Sequence, residues 1–118
     1  MAKPVRESDP TGKAANEPGA KLDAGKPDVE LLLDFGLALV EVARVSTYGA
    51  KKYSRRGWLK VEDGQRRYTS AMLRHLIAGR YKAIDDESGL LHQAQVAWNA
   101  LARLELMLRE SNCADLTK

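Results

Sequence analysis

Between Arg74 and Asn99 two amphipathic segments are joined by Asp85-Asp86-Glu87-Ser88-Gly89, a run too polar and turn-prone to continue either of them. A break of this kind folds the two segments back on one another as a helical hairpin. Arg74 and His75 close the first segment, while His92, Gln95 and Asn99 ride the second. Carboxylates, both histidines and amides are thereby gathered in one hairpin whose surroundings read as apolar helix. Charge set into such a core needs a cation or ligand as partner, so the pattern points to a metal-assisted or phosphate-handling site.

The rest of the chain is read from hydrophobic spacing and punctuation. Residues 1–20 hold Pro4, Pro10, Gly12, Pro18 and Gly19 with almost no large apolar side chain, a composition expected of a mobile tail. A turn over Lys21 to Pro27 follows, and Asp28 stands where a helix N-cap belongs. From Val29 to Val45 the residues are apolar almost all round, which predicts a central, largely buried first helix with Gly36 as its weak point. Gly49 marks its end. A second helix is expected over about 65–80, carrying Met72, Leu73, Leu76 and Ile77. A third is expected from Ser88 or Gly89 to about Arg109, with Leu91, Ala94, Trp98, Leu101, Glu105 and Leu108 as a packing seam. No stretch alternates with period two for long enough to argue for a strand. The expected fold is all-α: a compact bundle of three main helices plus short helical turns, spanning 21–110, with a short tail at 111–118. Three helices bury limited area, so completion by homo-oligomerisation is expected.

A chain of 118 residues and 44% hydrophobic content suits one domain with a modest core. The single cysteine, Cys113, excludes an internal disulfide framework and is natural in a reducing compartment. The N-terminus has no signal-peptide core, and no apolar run approaches the roughly 20 residues needed to cross a bilayer, so a cytoplasmic protein without membrane insertion is expected. A formal charge of +3 is mild for a nucleic-acid binder and compatible with a small anionic ligand.

Several residues are candidates for chemistry. Glu30, Asp34 and Glu41 share roughly one face of the first helix, which is either a solvated face or a source of metal ligands. Glu41, flanked by Val40 and Val42, is the strongest of them. Asp85 and Glu87 offer hard oxygen ligands suited to Mg²⁺ or Mn²⁺, although acids just before a helix also serve as caps. His75 and His92 can ligate or act on a water, or be satisfied polar residues. His92, Gln95 and Asn99 form a polar ridge that a solvent-facing helix would show equally well. Lys51, Lys52, Tyr53, Arg55, Arg56 and Trp58 interleave cations with aromatic rings, a composition able to hold phosphate and stack on a base; Arg66, Arg67, Tyr68 and Arg74 extend it. The bland alternative is a solvated basic surface; Lys21 and Lys26 would close over phosphates if the early turn folds back on the site, and are otherwise solvent-exposed linker residues, the favoured reading.

Taken in order, Lys21 to Pro27, Thr47 to Tyr53 with Trp58, Arg67-Tyr68, Arg74-His75-Leu76, Asp85 to Gly89, His92 and Trp98-Asn99 resemble the phage dATP/dGTP diphosphohydrolase N-terminal domain family, which is similar to the MazG-like all-α nucleotide pyrophosphohydrolases. The resemblance covers roughly residues 20–109. It implies Mg²⁺- or Mn²⁺-dependent hydrolysis of a purine (deoxy)nucleoside triphosphate to monophosphate and pyrophosphate. It also implies roles for Glu41, Asp85, Glu87, His75 and His92 around metal and water. Lys52 and Arg74, with Arg67 and Asn99, would meet the substrate, and Tyr53 or Trp58 would stack on the base. Relatives often show His-x-x-His where this chain reads His92-Gln93-Ala94-Gln95, and Arg74-His75 lies where MazG enzymes carry a Glu-rich motif. The rival reading from another class is a helical oligomer that sequesters a nucleotide without consuming it. A DNA-binding regulator would need stronger positive charge.

Overall fold

A computed structural model describes residues 7–111. Residues 1–6 and 112–118, including Cys113 and nearly all of the expected C-terminal tail, lie outside the described residues. The chain divides into two units, with the boundary between Leu33 and Asp34.

In the first unit, turns gather around Asp9. Its carboxylate accepts the Thr11 N–H at 2.6 Å, the Thr11 hydroxyl at 2.5 Å and the Lys21 N–H at 2.6 Å. These donors hold its pKa below the ordinary carboxylate value, the Thr11 hydroxyl contributing most. The Ala24 N–H donates to the Ser8 carbonyl at 2.8 Å. Composition gave no hint of this knot, because most of its bonds come from backbone donors.

The chain then enters a 3-10 stretch, Val29–Phe35, which becomes the first α-helix, α1, at Gly36–Lys52. Gly36 thus sits at the change of helix type and not inside a continuous helix. A 3-10 turn at Gly57–Lys60 leads into α2, Gly64–Ala78, and α3 spans His92–Glu110. Among the described residues there is no strand, only an isolated antiparallel bridge between Ile84 and Leu91. No helix among them is long and apolar enough to cross a membrane. The second unit is all-α: α2 and α3 form the main antiparallel pairing, and α1 lies against α3.

Two expectations are corrected. The first helix is not largely buried: Val45 alone of α1 is buried, Leu37 is 90% exposed, and Leu39 and Val40 are exposed as well. All-round apolar character buries a helix only where neighbours cover each face, and α1 has a neighbour along one edge. The third helix starts at His92 and not at Ser88 or Gly89. The Asp85 N–H donates to the Leu90 carbonyl at 2.8 Å, the Gly89 N–H to the Asp85 carbonyl at 2.7 Å, and the His92 N–H to the Ala83 carbonyl at 2.9 Å. These bonds close residues 85–90 into a turn of their own. Gly89 adopts φ +73°, a left-handed conformation that glycine takes without a Cβ penalty.

The α2–α3 seam is the unusual part of the packing. On α3 the buried side chains are Ala94, Ala102 and Leu106, joined by His92, Gln95 and Asn99. Leu101, Leu104 and Met107 are instead about half exposed. The polar ridge faces inward and much of the leucine stripe faces out.

Candidate functional site

The seam begins where the end of α2 meets the start of α3. His75 Nδ1 and His92 Nδ1 lie 2.9 Å apart, so one ring donates its Nδ1–H and the other accepts it. This approach depends on Gly79, the residue that ends α2. A Cβ there would lie 3.3 Å from His92 Cβ and 3.2 Å from the His75 carbonyl oxygen, tighter than ordinary packing. Burial pushes the His75 imidazole below its ordinary pKa; the Asp85 carboxylate pulls the other way, while His92 and Arg74 reinforce the fall. His75 is therefore a neutral base at neutral pH. With Nδ1 committed to the pair, each ring's Nε2 has no protein partner among the described residues, and no buried nitrogen or oxygen there lacks one, so both Nε2 atoms reach solvent.

Asp85 is built into the turn that precedes α3. One carboxylate oxygen accepts Ser88 Oγ–H at 2.9 Å and Gln95 Nε2–H at 3.0 Å, and the other accepts the Glu87 N–H at 3.2 Å. Partial burial raises its pKa, but the hydrogen bonds from Gln95, Ser88 and Glu87 outweigh that and hold it below the ordinary carboxylate value. Gln95, standing where relatives often have histidine, is thus the donor that ties α3 to Asp85. Asn99, one turn on, donates to the Gln95 carbonyl at 2.8 Å. Glu87 forms an ion pair with Lys52 at the end of α1, which raises the Lys52 pKa. The Lys52 ammonium also lies over the rings of Tyr48 and Tyr53, at 5.8 and 5.2 Å from their centroids.

The sequence-predicted residues thus fall into groups. His75, His92 and Asp85 lie together at one end of the seam, with Gln95 and Asn99 behind them, and Glu87 brings Lys52 and Tyr53 to the same turn. Glu41 pairs with Arg44 on α1 at 3.3 Å and makes no bond to the turn. Trp58 is engaged in packing: its ring meets Trp98 at 5.6 Å and Tyr68 at 6.3 Å, and its carbonyl accepts the Tyr68 hydroxyl at 2.7 Å. Arg67 donates to the Glu62 carbonyl just before α2 at 3.3 Å, and Arg74 to Ser70 Oγ within α2 at 2.9 Å, so both bonds are local. A groove of about 470 Å³, which sequence reasoning did not find, opens between α1 and the turn; α1 supplies Arg44, Thr47, Tyr48 and Lys51, and the turn supplies Ser88 and Leu90. The signal for it was the recurrence of Arg44, Thr47 and Lys51 at helical spacing on one face.

The donor set does not match a resident divalent cation. Among the described residues no three His, Cys, Asp or Glu side chains are grouped to hold a metal ion. Asp85 already accepts three donors, Glu87 is held by Lys52 and Glu41 by Arg44.

Fold and site together define a small all-α protein whose helical hairpin carries a buried polar seam ending in a histidine pair and a hydrogen-bonded carboxylate. Residues 16–116 match the family described as dATP/dGTP diphosphohydrolase, N-terminal, and the chain belongs to that family. No curated protein and no solved structure matches it.

Proposed function

We propose that this chain hydrolyses a purine deoxynucleoside triphosphate, dATP or dGTP, to the monophosphate and pyrophosphate, in phage nucleotide-pool metabolism in the host cytoplasm. The observation that carries this reading is the inward-facing ridge of His92, Gln95 and Asn99 against His75, where apolar side chains would make a more stable seam. Water attacks the α-phosphorus, the bridging P–O bond to the β-phosphate breaks, and pyrophosphate leaves with the electron pair. His75 takes the water's proton at Nε2 while its Nδ1–H donates to His92 Nδ1. The Asp85 charge, which favours the protonated form of His75, stabilises the imidazolium that results. The proposal keeps Lys52 and Tyr53, at the end of α1, and Arg74, on α2 beside His75, as groups that turn toward the substrate when it binds, Lys52 from its pair with Glu87 and Arg74 from its bond to Ser70. Mg²⁺ or Mn²⁺, lacking a preassembled ligand set here, belongs to this proposal as part of the substrate, the metal complex of the triphosphate. The exposed apolar side chains of α1 and of the outer face of α3 support assembly as a homo-oligomer.

The commitment of the Asp85, Glu87 and Glu41 carboxylates to protein donors favours one second reading, capture of the nucleotide without turnover. Incubation with Mg²⁺ or Mn²⁺ and a panel of (deoxy)nucleoside triphosphates, followed by chromatography, separates the two. Monophosphate and pyrophosphate formed by wild-type protein and lost in His75→Gln establish hydrolysis. Nucleotide recovered intact but bound to the protein establishes capture.

A further inference from the structure

We infer that the groove between α1 and the 85–90 turn is the seat of the nucleotide, with Arg44 and Lys51 reading the phosphates. The inference rests on the proposed function in taking a nucleotide as the ligand, but it moves the phosphate contacts from Lys52 and Arg74 to Lys51 and to Arg44, which the sequence did not single out.

Charge occupancy carries the first step. Of the adjacent lysines at the end of α1, Lys52 is committed to Glu87 and to two tyrosine rings. Lys51 is exposed, lines the groove and has no partner among the described residues. Arg44 meets Glu41 through Nε alone, which leaves the terminal nitrogens of its guanidinium fork for a phosphate. Glu41 then acts as a positioning residue that sets the direction of that fork. Arg44 and Lys51 are seven residues apart on a helix and so share one face, about 10 Å apart along the axis. That separation suits a polyphosphate chain laid along α1 better than a single phosphate.

Shape and polarity carry the second step. The remaining walls are mostly apolar, with Val40 and Ala43 on α1 and Leu90 on the turn, and Tyr48 adds an aromatic ring. A volume near 470 Å³ falls in the range of small-ligand sites. An occupant with a flat, weakly polar body and an anionic tail satisfies both ends, which describes a purine nucleotide and not a peptide or a simple anion. Ser88 links the groove to the histidine end of the seam, since its hydroxyl both lines the groove and donates to Asp85.

The test compares the full-length wild type with Arg44→Ala/Lys51→Glu, with Val40→Trp, which fills the groove from an exposed helix position, and with Lys60→Ala as a remote control. Binding of dGTP is read by titration calorimetry, turnover by product chromatography, and fold by circular dichroism. The expected result is a dissociation constant and KM for dGTP raised about tenfold or more in both groove variants, from lost charged contacts in one and a filled groove in the other, with helical content close to wild type and the control unchanged. Wild-type affinity in both folded groove variants, with dGTP still bound or hydrolysed, overturns the groove assignment and leaves the proposed function standing. A wild-type protein that neither binds nor hydrolyses any purine deoxynucleotide overturns both.

Discussion

Replacing Asp85 by asparagine isolates the charge of the residue that organises the site turn. The carboxylate accepts three hydrogen bonds, from Ser88 Oγ, Gln95 Nε2 and the Glu87 N–H, at 2.9, 3.0 and 3.2 Å. Asparagine of the same shape can keep the two bonds to one oxygen but turns an NH₂ group toward the Glu87 N–H, and the two retained bonds lose their ionic partner. Bonds to a charged group contribute about 1.5–3 kcal/mol and neutral ones about 0.5–1.5, so a half-exposed site should lose about 1–3 kcal/mol. Urea unfolding followed by circular dichroism would then show a midpoint lower by about 1 M for a domain of this size. The pH dependence gives an independent check. Asp85 is depressed in the folded state, so its stabilisation is complete above the unfolded value near 3.8 and is lost as pH falls through the folded value. The gap between wild type and Asp85→Asn should shrink below pH 4. Equal midpoints at pH 7, or a gap that persists unchanged at pH 3, would refute the claim that an ionised Asp85 holds the turn.

Leu106→Ala should cost about 2–4 kcal/mol, measured by thermal or urea unfolding, because Leu106 is one of the few large apolar side chains buried in the α2–α3 seam. His75 is depressed by burial, so the stability tied to its neutral form is present above the unfolded value of 6.5 and falls away as pH drops from there toward the folded value; His75→Gln should lack this loss in a pH series of unfolding midpoints. Gly79→Ala should separate the histidine rings, since its Cβ meets His92 Cβ at 3.3 Å, and the measurement is a change in the histidine ring resonances by NMR with α2 helicity retained.

How much of this was legible in the sequence depended on whether one segment or two decided the matter. The α2 periodicity and the all-α class follow from local spacing, and the structure bears both out. The start of α3 did not, because Ser88-Gly89 reads as a helix entry unless Leu90 and Leu91 are known to bond back to Asp85 and Ile84. The burial of α1 was overestimated for a related reason: apolar content states what a helix would gain from neighbours, not how many it has. The contact of His75 with His92 spans seventeen positions, and its closeness is set by the length of the turn and the missing Cβ at Gly79. The ridge of His92, Gln95 and Asn99 was visible as a pattern, but solvent-facing and inward-facing ridges have the same spacing, so only packing could choose between them.

The choice made by packing runs against stability. Gln95 and Asn99 occupy buried positions while Leu101 and Leu104, on the same helix, are about half exposed. Exchanging such positions would bury more apolar area, at about 25 cal/mol per Å², and free amides from a site where each must find a partner. The structure meets that demand locally: Gln95 donates to Asp85, and Asn99 donates to the Gln95 carbonyl one turn back. A bond made to its own helix could be replaced by an apolar side chain without orphaning another buried group, so stability alone does not account for Asn99. A seam of this composition is better explained as the support of a site, in which Gln95 fixes Asp85, Asp85 fixes the turn, and the turn sets Glu87 against Lys52 at the end of α1. Weakening that chain at Gln95 should loosen the turn while leaving the outer leucine face of α3 untouched.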